Sequence, residues 1–281
     1  MSSEPTPFAA ENDGVELSAE ESGRGAPVVL MHGLTATRRY VVMGSRSLER
    51  SGHRVIAYDA RAHGRSAPAP DPLAYDYEQL AADLEAVLDA AGVERALLAG
   101  ASMGAHTAVR FALSRPERVA ALGLITPAFD PGAPASPSEL ARWDALSSGL
   151  REGGVEGFVR AYGLDAVPER WRDTVGKVLR QRLALHEHPD ALADALRAVP
   201  RSRPFETLDE LEAIAVPTLV VASRDEADPG HPLAVGELYA RTIPGARLAV
   251  EEDGQPARSP IAWQGGAVSK LLAELAEQMR L

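Results

Sequence analysis

The five residues Gly100-Ala101-Ser102-Met103-Gly104 constrain the fold more than any other part of the chain. They follow a short apolar stretch with strand character (95–99) and lead into a stretch with helical periodicity. A serine flanked by glycines at such a junction predicts a nucleophile elbow, a strained turn that presents the hydroxyl at the end of a strand. The N–H of Met103, at the start of the helix, is then a predicted donor to an oxyanion. The alternative is a serine in a purely structural turn.

The pattern along the rest of the chain predicts an α/β fold, because short apolar runs alternate with longer helical stretches. Such a fold has a mostly parallel central sheet with helices on both faces. The pair Asp13-Gly14 lies between two alternating stretches, which predicts an N-terminal β-hairpin. Further strands are predicted at 28–31, 55–59, 96–101, 120–126, 218–222 and 247–250, and helices at 75–91, 103–114 and 263–279.

Residues 131–207 interrupt this alternation. The segment carries no strand pattern, and its short helical stretches are broken by prolines and by Gly153-Gly154. An insertion after a sheet strand lies over the edge where open α/β folds bind ligands. We therefore predict a helical cap at 131–207, a core formed by 8–130 and 208–281, and a flexible N-terminus at 1–7.

The composition excludes several classes of function. The chain has no cysteine, so it has no disulfide framework, thiolate zinc site or cysteine nucleophile. A net charge of -11 without a basic block argues against nucleic acid and anionic membranes as partners. No apolar run approaches the roughly 20 residues that span a bilayer, and no secretion signal is recognised, so a cytoplasmic protein is expected. The expected partner is a small-molecule substrate. No cofactor, metal or oligomeric state is indicated.

A second support for an oxyanion site comes from His32-Gly33-Leu34, which directly follows a predicted buried strand. A turn at this place brings a backbone N–H close to the elbow, and the N–H of Leu34 is the predicted donor. We expect His32 itself to be structural.

These segments occur in a characteristic order: the His32-Gly33 turn, YDARAHGRS at 58–66, the elbow, and VPTLVVASRDE at 216–226. In the order of these segments, nearly the whole chain resembles the α/β-hydrolase superfamily. The resemblance is greatest to its capped serine esterases, lactonases and C–C bond hydrolases. One departure is Ala62, where the family usually has glycine. The resemblance implies a serine nucleophile that is followed along the chain by an acid and then by a histidine.

The resemblance implies that the acid follows the strand at 218–222. Asp225 is the favoured acid, with Asp228 and Glu226 as alternatives, because an aspartate orients an imidazole without taking its proton. Asp130, after the preceding strand, is a further alternative. Some of these carboxylates could instead cap the helix that begins near Pro232.

The implied position of the histidine is occupied by Gln255, and no histidine follows His231. A glutamine amide can form hydrogen bonds or bind a substrate group, but it is not a general base near neutral pH. His231 is the best substitute, in a loop stiffened by Pro229 and Pro232. The alternative is a solvent-facing histidine at the start of a helix.

Several other residues could line a substrate pocket, although each also has a structural interpretation. They are His32, Gly33, Arg38, His106, Trp143 and His186. For Arg38 the structural interpretation is solvated surface, for Trp143 the core of the cap, and for His186 the protein surface.

Two hypotheses for the function follow. The first is a serine hydrolase acting on a small ester, lactone or activated carbonyl compound through Ser102. The second is a binding protein or non-hydrolytic catalyst, such as a cyclase or lyase, with the same fold and a degenerate triad. The intact elbow favours the first hypothesis, and Gln255 favours the second.

Overall fold

The computed structural model describes residues 4–133, 135–224, 228–251 and 260–279. Its eight strands form one sheet, in the order β1-β2-β4-β3-β5-β6-β7-β8. The strands are β1 (Thr6–Asn12), β2 (Val15–Gly23), β3 (Pro27–Met31), β4 (Arg54–Tyr58), β5 (Ala96–Ala101), β6 (Val119–Ile125), β7 (Thr218–Val221) and β8 (Arg247–Ala249). The helices are α1 (Ser47–Arg50), α2 (Tyr77–Ala90), α3 (Met103–Ser114), α4 (Pro137–Tyr162), α5 (Glu169–Leu183), α6 (Pro189–Ala198), α7 (Leu233–Thr242) and α8 (Gly265–Ala276).

The predicted hairpin and parallel sheet are confirmed. Asn12 pairs with Val15, so β1 and β2 are joined by the two residues Asp13 and Gly14. Both have positive φ, 54° and 76°, as a type I′ hairpin turn requires. Strand β2 also pairs antiparallel with β4, and all pairs from β4 to β8 are parallel.

Helices cover both faces of the sheet. Successive residues of a strand point to opposite faces, so chain neighbours pack against different helices. Val29 and Leu98 pack in one cluster with side chains of α2 and α3. Their chain neighbours Val28 and Leu97 pack in a second cluster with side chains of α1 and α8. Burial of each such side chain contributes roughly 1.5–3 kcal/mol. The loops that follow β3, β5 and β7 lie at one edge of the sheet because these strands run parallel.

The segment between β6 and β7 is helical, and we call residues 137–201, with α4, α5 and α6, the helical insert. No strand occurs among the described residues of 126–217. Helix α4 breaks at Gly154, which has a φ of 58°, at the predicted Gly153-Gly154 site. The insert has its own apolar cluster around Phe158 and Leu196, against which Leu34 and Trp263 of the core also pack.

Helix boundaries differ from the prediction by a few residues. Helix α2 begins after Asp76, whose carboxylate accepts a hydrogen bond from the N–H of Gln79 at 2.8 Å. This N-cap ends the helical periodicity that the sequence extends back to residue 75. Residues 261–263 form a separate 3-10 turn before α8. Within the described ranges, no helix has the length and apolar character needed to cross a membrane.

A buried ion pair joins the hairpin, α2 and the turn after β4. Arg61 donates two hydrogen bonds to the carboxylate of Asp83, at 2.7 and 2.6 Å. Asn12 donates a third to Asp83, at 2.9 Å, and Arg61 donates another to the carbonyl of Ala74, at 2.8 Å. The two charged side chains are 1% and 0% exposed. This network fixes the turn that contains Ala62, whose φ of 64° lies in the left-handed region that the family's glycine would favour.

Candidate active site

The nucleophile elbow lies between β5 and α3. Ser102 has a φ of 51° and a ψ of -113°, a conformation that non-glycine residues rarely adopt. A Cβ on Gly100 would lie 2.1 Å from the carbonyl carbon of Gly104, and a Cβ on Gly104 would lie 2.3 Å from the oxygen of Met31. Both glycines are therefore required by the close approach of backbone segments. The N–H of Ser102 donates to the carbonyl of Ile125 at 2.9 Å, which ties the turn to β6.

The structure brings His231 to this serine. Its Nε2 lies 2.8 Å from Ser102 Oγ, within hydrogen-bonding distance. His231 belongs to the loop between β7 and α7. Strands β5 and β7 run in the same direction, so both end at the same edge of the sheet. The hydroxyl of Ser102 does not cap α3, so it is available to the imidazole. An imidazole in this place can take a proton from the serine as the oxygen attacks.

Asp228 lies on the other side of the imidazole. Its Oδ1 is 2.8 Å from His231 Nδ1, which is ion-pair distance, although the N–H is not aligned on the oxygen as in a well-directed hydrogen bond. Burial raises the pKa of Asp228, but attraction to His231 and to Arg182 outweighs it, and the net pKa lies below the ordinary value. The carboxylate is therefore charged at neutral pH and favours a proton on Nδ1, leaving Nε2 to accept the serine proton.

Four of the sequence candidates lie elsewhere or outside the described residues. The carboxylate beside His231 is that of Asp228, one of the alternative acids in the sequence analysis. The favoured acid Asp225 lies outside the described ranges, as do Glu226 and Gln255. Asp130 accepts a hydrogen bond from the N–H of Gly132 at 2.8 Å, and so caps its own turn.

The turn formed by residues 32–36, which we call the oxyanion turn, packs against the elbow. A Cβ on Gly33 would lie 3.3 Å from Ser102 Cβ. The carbonyl of Gly33 accepts hydrogen bonds from His32 Nδ1 at 2.8 Å and from the N–H of Ala36 at 3.0 Å. That carbonyl and the N–H of Leu34 belong to one planar peptide and point in opposite directions. Fixing the carbonyl therefore fixes the direction of the predicted donor.

No backbone hydrogen bond among the described residues takes up the N–H of Leu34 or of Met103. His32 Nε2 accepts the N–H of Ala60 at 2.9 Å, so His32 holds the turn from behind, as expected of a structural residue. The two N–H groups thus remain available to an oxyanion beside Ser102.

Two other histidines are buried in hydrogen-bond networks. His106 Nε2 accepts the N–H groups of Ala128 and Phe129 at 3.0 and 3.1 Å, and its Nδ1 lies 3.0 Å from Tyr77 Oη. Burial, with a smaller contribution from the charge of His231, lowers the pKa of His106 to about 3. His106 therefore holds the segment after β6 and has no nitrogen left for a substrate.

The interpretation of His186 as a surface residue is wrong. Its side chain is buried because the insert folds against the core: Nδ1 accepts the N–H of Gly64 at 2.9 Å, and Nε2 lies 3.0 Å from the carbonyl of Thr35. Burial lowers its pKa to about 4, although the bond to Thr35 opposes this shift. Sequence periodicity had no means of showing that this residue, just beyond α5, touches the oxyanion turn.

The remaining candidates are engaged in structural contacts. Arg38 is not simply solvated surface: it forms ion pairs with Asp59 and, at 3.0 Å, with Glu20. Trp143 packs against the apolar cluster of the insert, in line with the structural interpretation. A cavity of about 10 Å³, room for one water molecule, lies beside the candidate relay. It is lined by Thr126, Ser223, Asp228, His231, Pro260, Ala262 and Trp263.

Sequence reasoning missed Arg182, in the last turn of α5. Its Nη2 donates to the carbonyl of Leu34 at 3.2 Å and to Thr35 Oγ1 at 2.7 Å. Helix α5 carries three further arginines, so no sequence pattern distinguishes this one. Among the described residues, no group of three or more histidine or carboxylate side chains is arranged to hold a metal ion.

The lowered pKa values predict acid sensitivity. In the unfolded chain, His106 and His186 bind protons near pH 6.5, whereas the folded chain binds them near pH 3 and 4. Between these limits the unfolded state holds more protons, so stability is full above pH 6.5 and decreases as the pH falls. Each histidine contributes a slope approaching about 1.4 kcal/mol per pH unit. Urea unfolding between pH 6.5 and 4.5 measures this dependence of stability on pH. In His106→Gln the free energy of unfolding should depend less steeply on pH, by about 1.4 kcal/mol per pH unit. An unchanged dependence would contradict the lowered pKa of His106.

Comparisons with known proteins identify the family of the chain. Residues 26–256 match the family described as the alpha/beta hydrolase fold. A protein of Azorhizobium caulinodans with the name "Putative carbamate hydrolase RutD" is 30% identical over 257 residues, 91% of this chain and 93% of that protein. A 2-hydroxy-6-oxononadienedioate/2-hydroxy-6-oxononatrienedioate hydrolase of Pseudomonas putida is 31% identical, covering 86% and 87%. The structure of a thermophilic esterase from Thermogutta terrifontis superposes with a TM-score of 0.77 at 27% identity, covering 98% of both chains.

Proposed function

Since the chain belongs to the α/β-hydrolase fold family, we propose that it is a serine hydrolase for a small ester, lactone or other activated carbonyl compound. The observation that carries this proposal is the 2.8 Å contact between Ser102 Oγ and His231 Nε2. A serine hydroxyl is a weak nucleophile without a base, and this contact supplies the base that Gln255 does not. It favours the hydrolase over a binding protein or a non-hydrolytic catalyst with a degenerate triad.

In the first half of the proposed reaction, Ser102 Oγ attacks the substrate carbonyl carbon while His231 Nε2 takes the hydroxyl proton. The N–H groups of Leu34 and Met103 stabilise the resulting oxyanion. Asp228 stabilises the imidazolium without accepting its proton. The tetrahedral intermediate collapses, the bond to the leaving group breaks, and His231 returns the proton to that group. An acyl ester on Ser102 remains.

In the second half, a water molecule attacks the acyl carbon while His231 again acts as the base. Collapse of the second intermediate releases the carboxylic acid, and the proton returns to Ser102 Oγ. The relay is non-standard because acid and base both come from the loop between β7 and α7. The relatives named above support the substrate class, because a carbamate, an oxo acid and an ester each offer a carbonyl carbon to attack.

The helical insert, predicted from the sequence as a cap at 131–207, would cover this site in the proposed enzyme. Its contacts with Leu34 of the oxyanion turn and with Trp263, which lines the cavity beside His231, support that role. The cap would then restrict the size of the substrate and limit the access of water during attack.

Labelling with a fluorophosphonate tests the proposal, because this reagent forms a covalent bond only with an activated serine. We expect the purified protein to be labelled at Ser102, as mapped by peptide mass spectrometry. The Ser102→Ala variant should show no labelling. Ser114→Ala, at an exposed serine at the end of α3, is the matched control and should be labelled like the wild type. An unlabelled wild-type protein, or labelling that survives Ser102→Ala, would exclude the proposed nucleophile.

A further inference from the structure

The backbone of the oxyanion turn is strained at Thr35. Its φ is 72°, in the left-handed region that a β-branched residue rarely occupies. Such a conformation costs about 1–3 kcal/mol and persists only where surrounding contacts hold it. Thr35 is the residue after Leu34, the predicted oxyanion donor. The N–H of Ala36, on the other side of Thr35, donates to the carbonyl of Gly33 at 3.0 Å and so helps to fix the peptide that carries the Leu34 N–H. A relaxation at Thr35 would move the Ala36 N–H and loosen that peptide.

The contacts that hold this strained residue come from the helical insert. Arg182 Nη2 donates to Thr35 Oγ1 at 2.7 Å and to the carbonyl of Leu34 at 3.2 Å. His186, four residues further along the chain and beyond the end of α5, has its Nε2 3.0 Å from the carbonyl of Thr35. These partners are separated from the turn by 147 to 151 positions in the sequence. The helical insert thus contacts both Leu34 and Thr35 of the oxyanion turn.

The position of Arg182 suits this task. Its guanidinium lies over the ring of Tyr40, with Cζ 5.9 Å from the ring centre, so its plane is held on a second side. Asp228 attracts the buried cation, although burial dominates and lowers the pKa of Arg182. A planar guanidinium that donates to two acceptors on adjacent residues fixes their relative orientation, which a lysine ammonium does less well.

We propose that Arg182 is a positioning residue that holds the oxyanion turn, so that the oxyanion hole is complete only with the helical insert in place. This inference rests on the proposed hydrolase function. Arg182 acts through the Leu34 carbonyl and the Thr35 hydroxyl, and it does not contact the reacting atoms. Loss of its contacts lets the Leu34 N–H turn away from the oxyanion, which weakens binding of the transition state more than binding of the substrate.

The test compares Arg182→Met with Arg180→Met. Arg180 lies two residues earlier on α5, where it forms an exposed ion pair with Glu156. With a neutral 4-nitrophenyl ester, Arg182→Met should lower kcat about 10- to 100-fold with little change in KM, since complete loss of an oxyanion donor costs about 10²- to 10³-fold. Arg180→Met should stay within about twofold of the wild type. Thermal unfolding by circular dichroism shows whether each variant is folded at the assay temperature.

Two further measurements separate positioning from a general loss of structure. Arg182→Met should weaken a trifluoromethyl ketone, which forms an oxyanion on Ser102, by about the same factor as kcat, and Arg182→Lys should recover part of the loss. Thr35→Val removes the hydroxyl acceptor but keeps the side-chain shape. If both residues act through one contact, Thr35→Val should add little to the effect of Arg182→Met.

Each alternative outcome overturns the inference. If Arg182→Met behaves like Arg180→Met while fluorophosphonate still labels Ser102, the positioning role is wrong and the hydrolase proposal stands. If Arg182→Met raises KM only for an ester that carries a carboxylate, Arg182 binds substrate and does not position the turn. A wild-type protein that is not labelled at all would refute the hydrolase proposal itself.

Discussion

Replacement of His231 by alanine should reduce kcat/KM for a 4-nitrophenyl ester by at least about 10³-fold, because loss of the base in a serine relay removes most of the nucleophile's activation. His231 Nε2 is the atom 2.8 Å from Ser102 Oγ, so no rearrangement is needed for proton transfer. Rates are measured at neutral pH and at pH 9. Fluorophosphonate labelling should slow in parallel, since it depends on the same activated serine.

The matched control is His188→Ala, at a histidine that precedes α6 in the helical insert. It should keep activity within about a few-fold of the wild type.

The acid is assigned by comparing Asp228→Asn with Asp225→Asn. We expect Asp228→Asn to cost about 10²-fold or more, since the carboxylate at 2.8 Å sets the imidazole tautomer, and Asp225→Asn to cost little. Unchanged rates in His231→Ala would remove this histidine from the mechanism.

Asp83→Leu should lower the free energy of unfolding by about 3–5 kcal/mol, because it leaves the buried Arg61 guanidinium without its counter-charge. Arg61 and Asp83 are 1% and 0% exposed, so water cannot take over the lost interactions. Urea unfolding followed by both tryptophan fluorescence and circular dichroism measures the change. The comparison is valid where the two transitions coincide.

A double variant separates the cost of an uncompensated charge from the loss of packing. Arg61→Met with Asp83→Leu removes both charges and should recover a large part of the stability lost in Asp83→Leu. The exposed pair of Arg180 and Glu156 is the surface control, and Glu156→Ala should change the free energy of unfolding very little, because water screens an exposed ion pair. A cost for Asp83→Leu as small as that for Glu156→Ala would contradict the inference from burial.

The fold was largely predictable from the sequence because its signals are local. The elbow needs Gly100 and Gly104 for close backbone contact, and the hairpin needs Asp13-Gly14 for positive φ, so both leave a mark in a few adjacent residues. The six strands predicted after the hairpin, from 28–31 to 247–250, agree with the observed β3 to β8 to within one residue at each end. The candidate nucleophile Ser102 and the oxyanion turn beside it are predicted by the same local signals.

The rest of the site depends on contacts between distant residues, for which the sequence has no local signal. Only the folded loop shows that His231 approaches Ser102 across 129 positions, whereas its sequence equally suits a helix-start histidine. The burial of His186 and the role of Arg182 depend on how the helical insert meets the oxyanion turn. Asp228 and Asp225 are three positions apart in one loop, and composition does not distinguish them.

In the proposed relay, the loop between β7 and α7 carries both the base His231 and its carboxylate Asp228, three positions apart. A hydrogen bond from the N–H of His231 to the carbonyl of Asp228, at 3.2 Å, closes this part of the loop. In the chain order that the family implies, the histidine would stand on a separate loop, and two loops would have to keep their spacing. In the proposed relay, one short segment therefore sets both the approach of His231 to Ser102 and its distance from the carboxylate. The proposed proton transfer then makes no demand on the segment after β8.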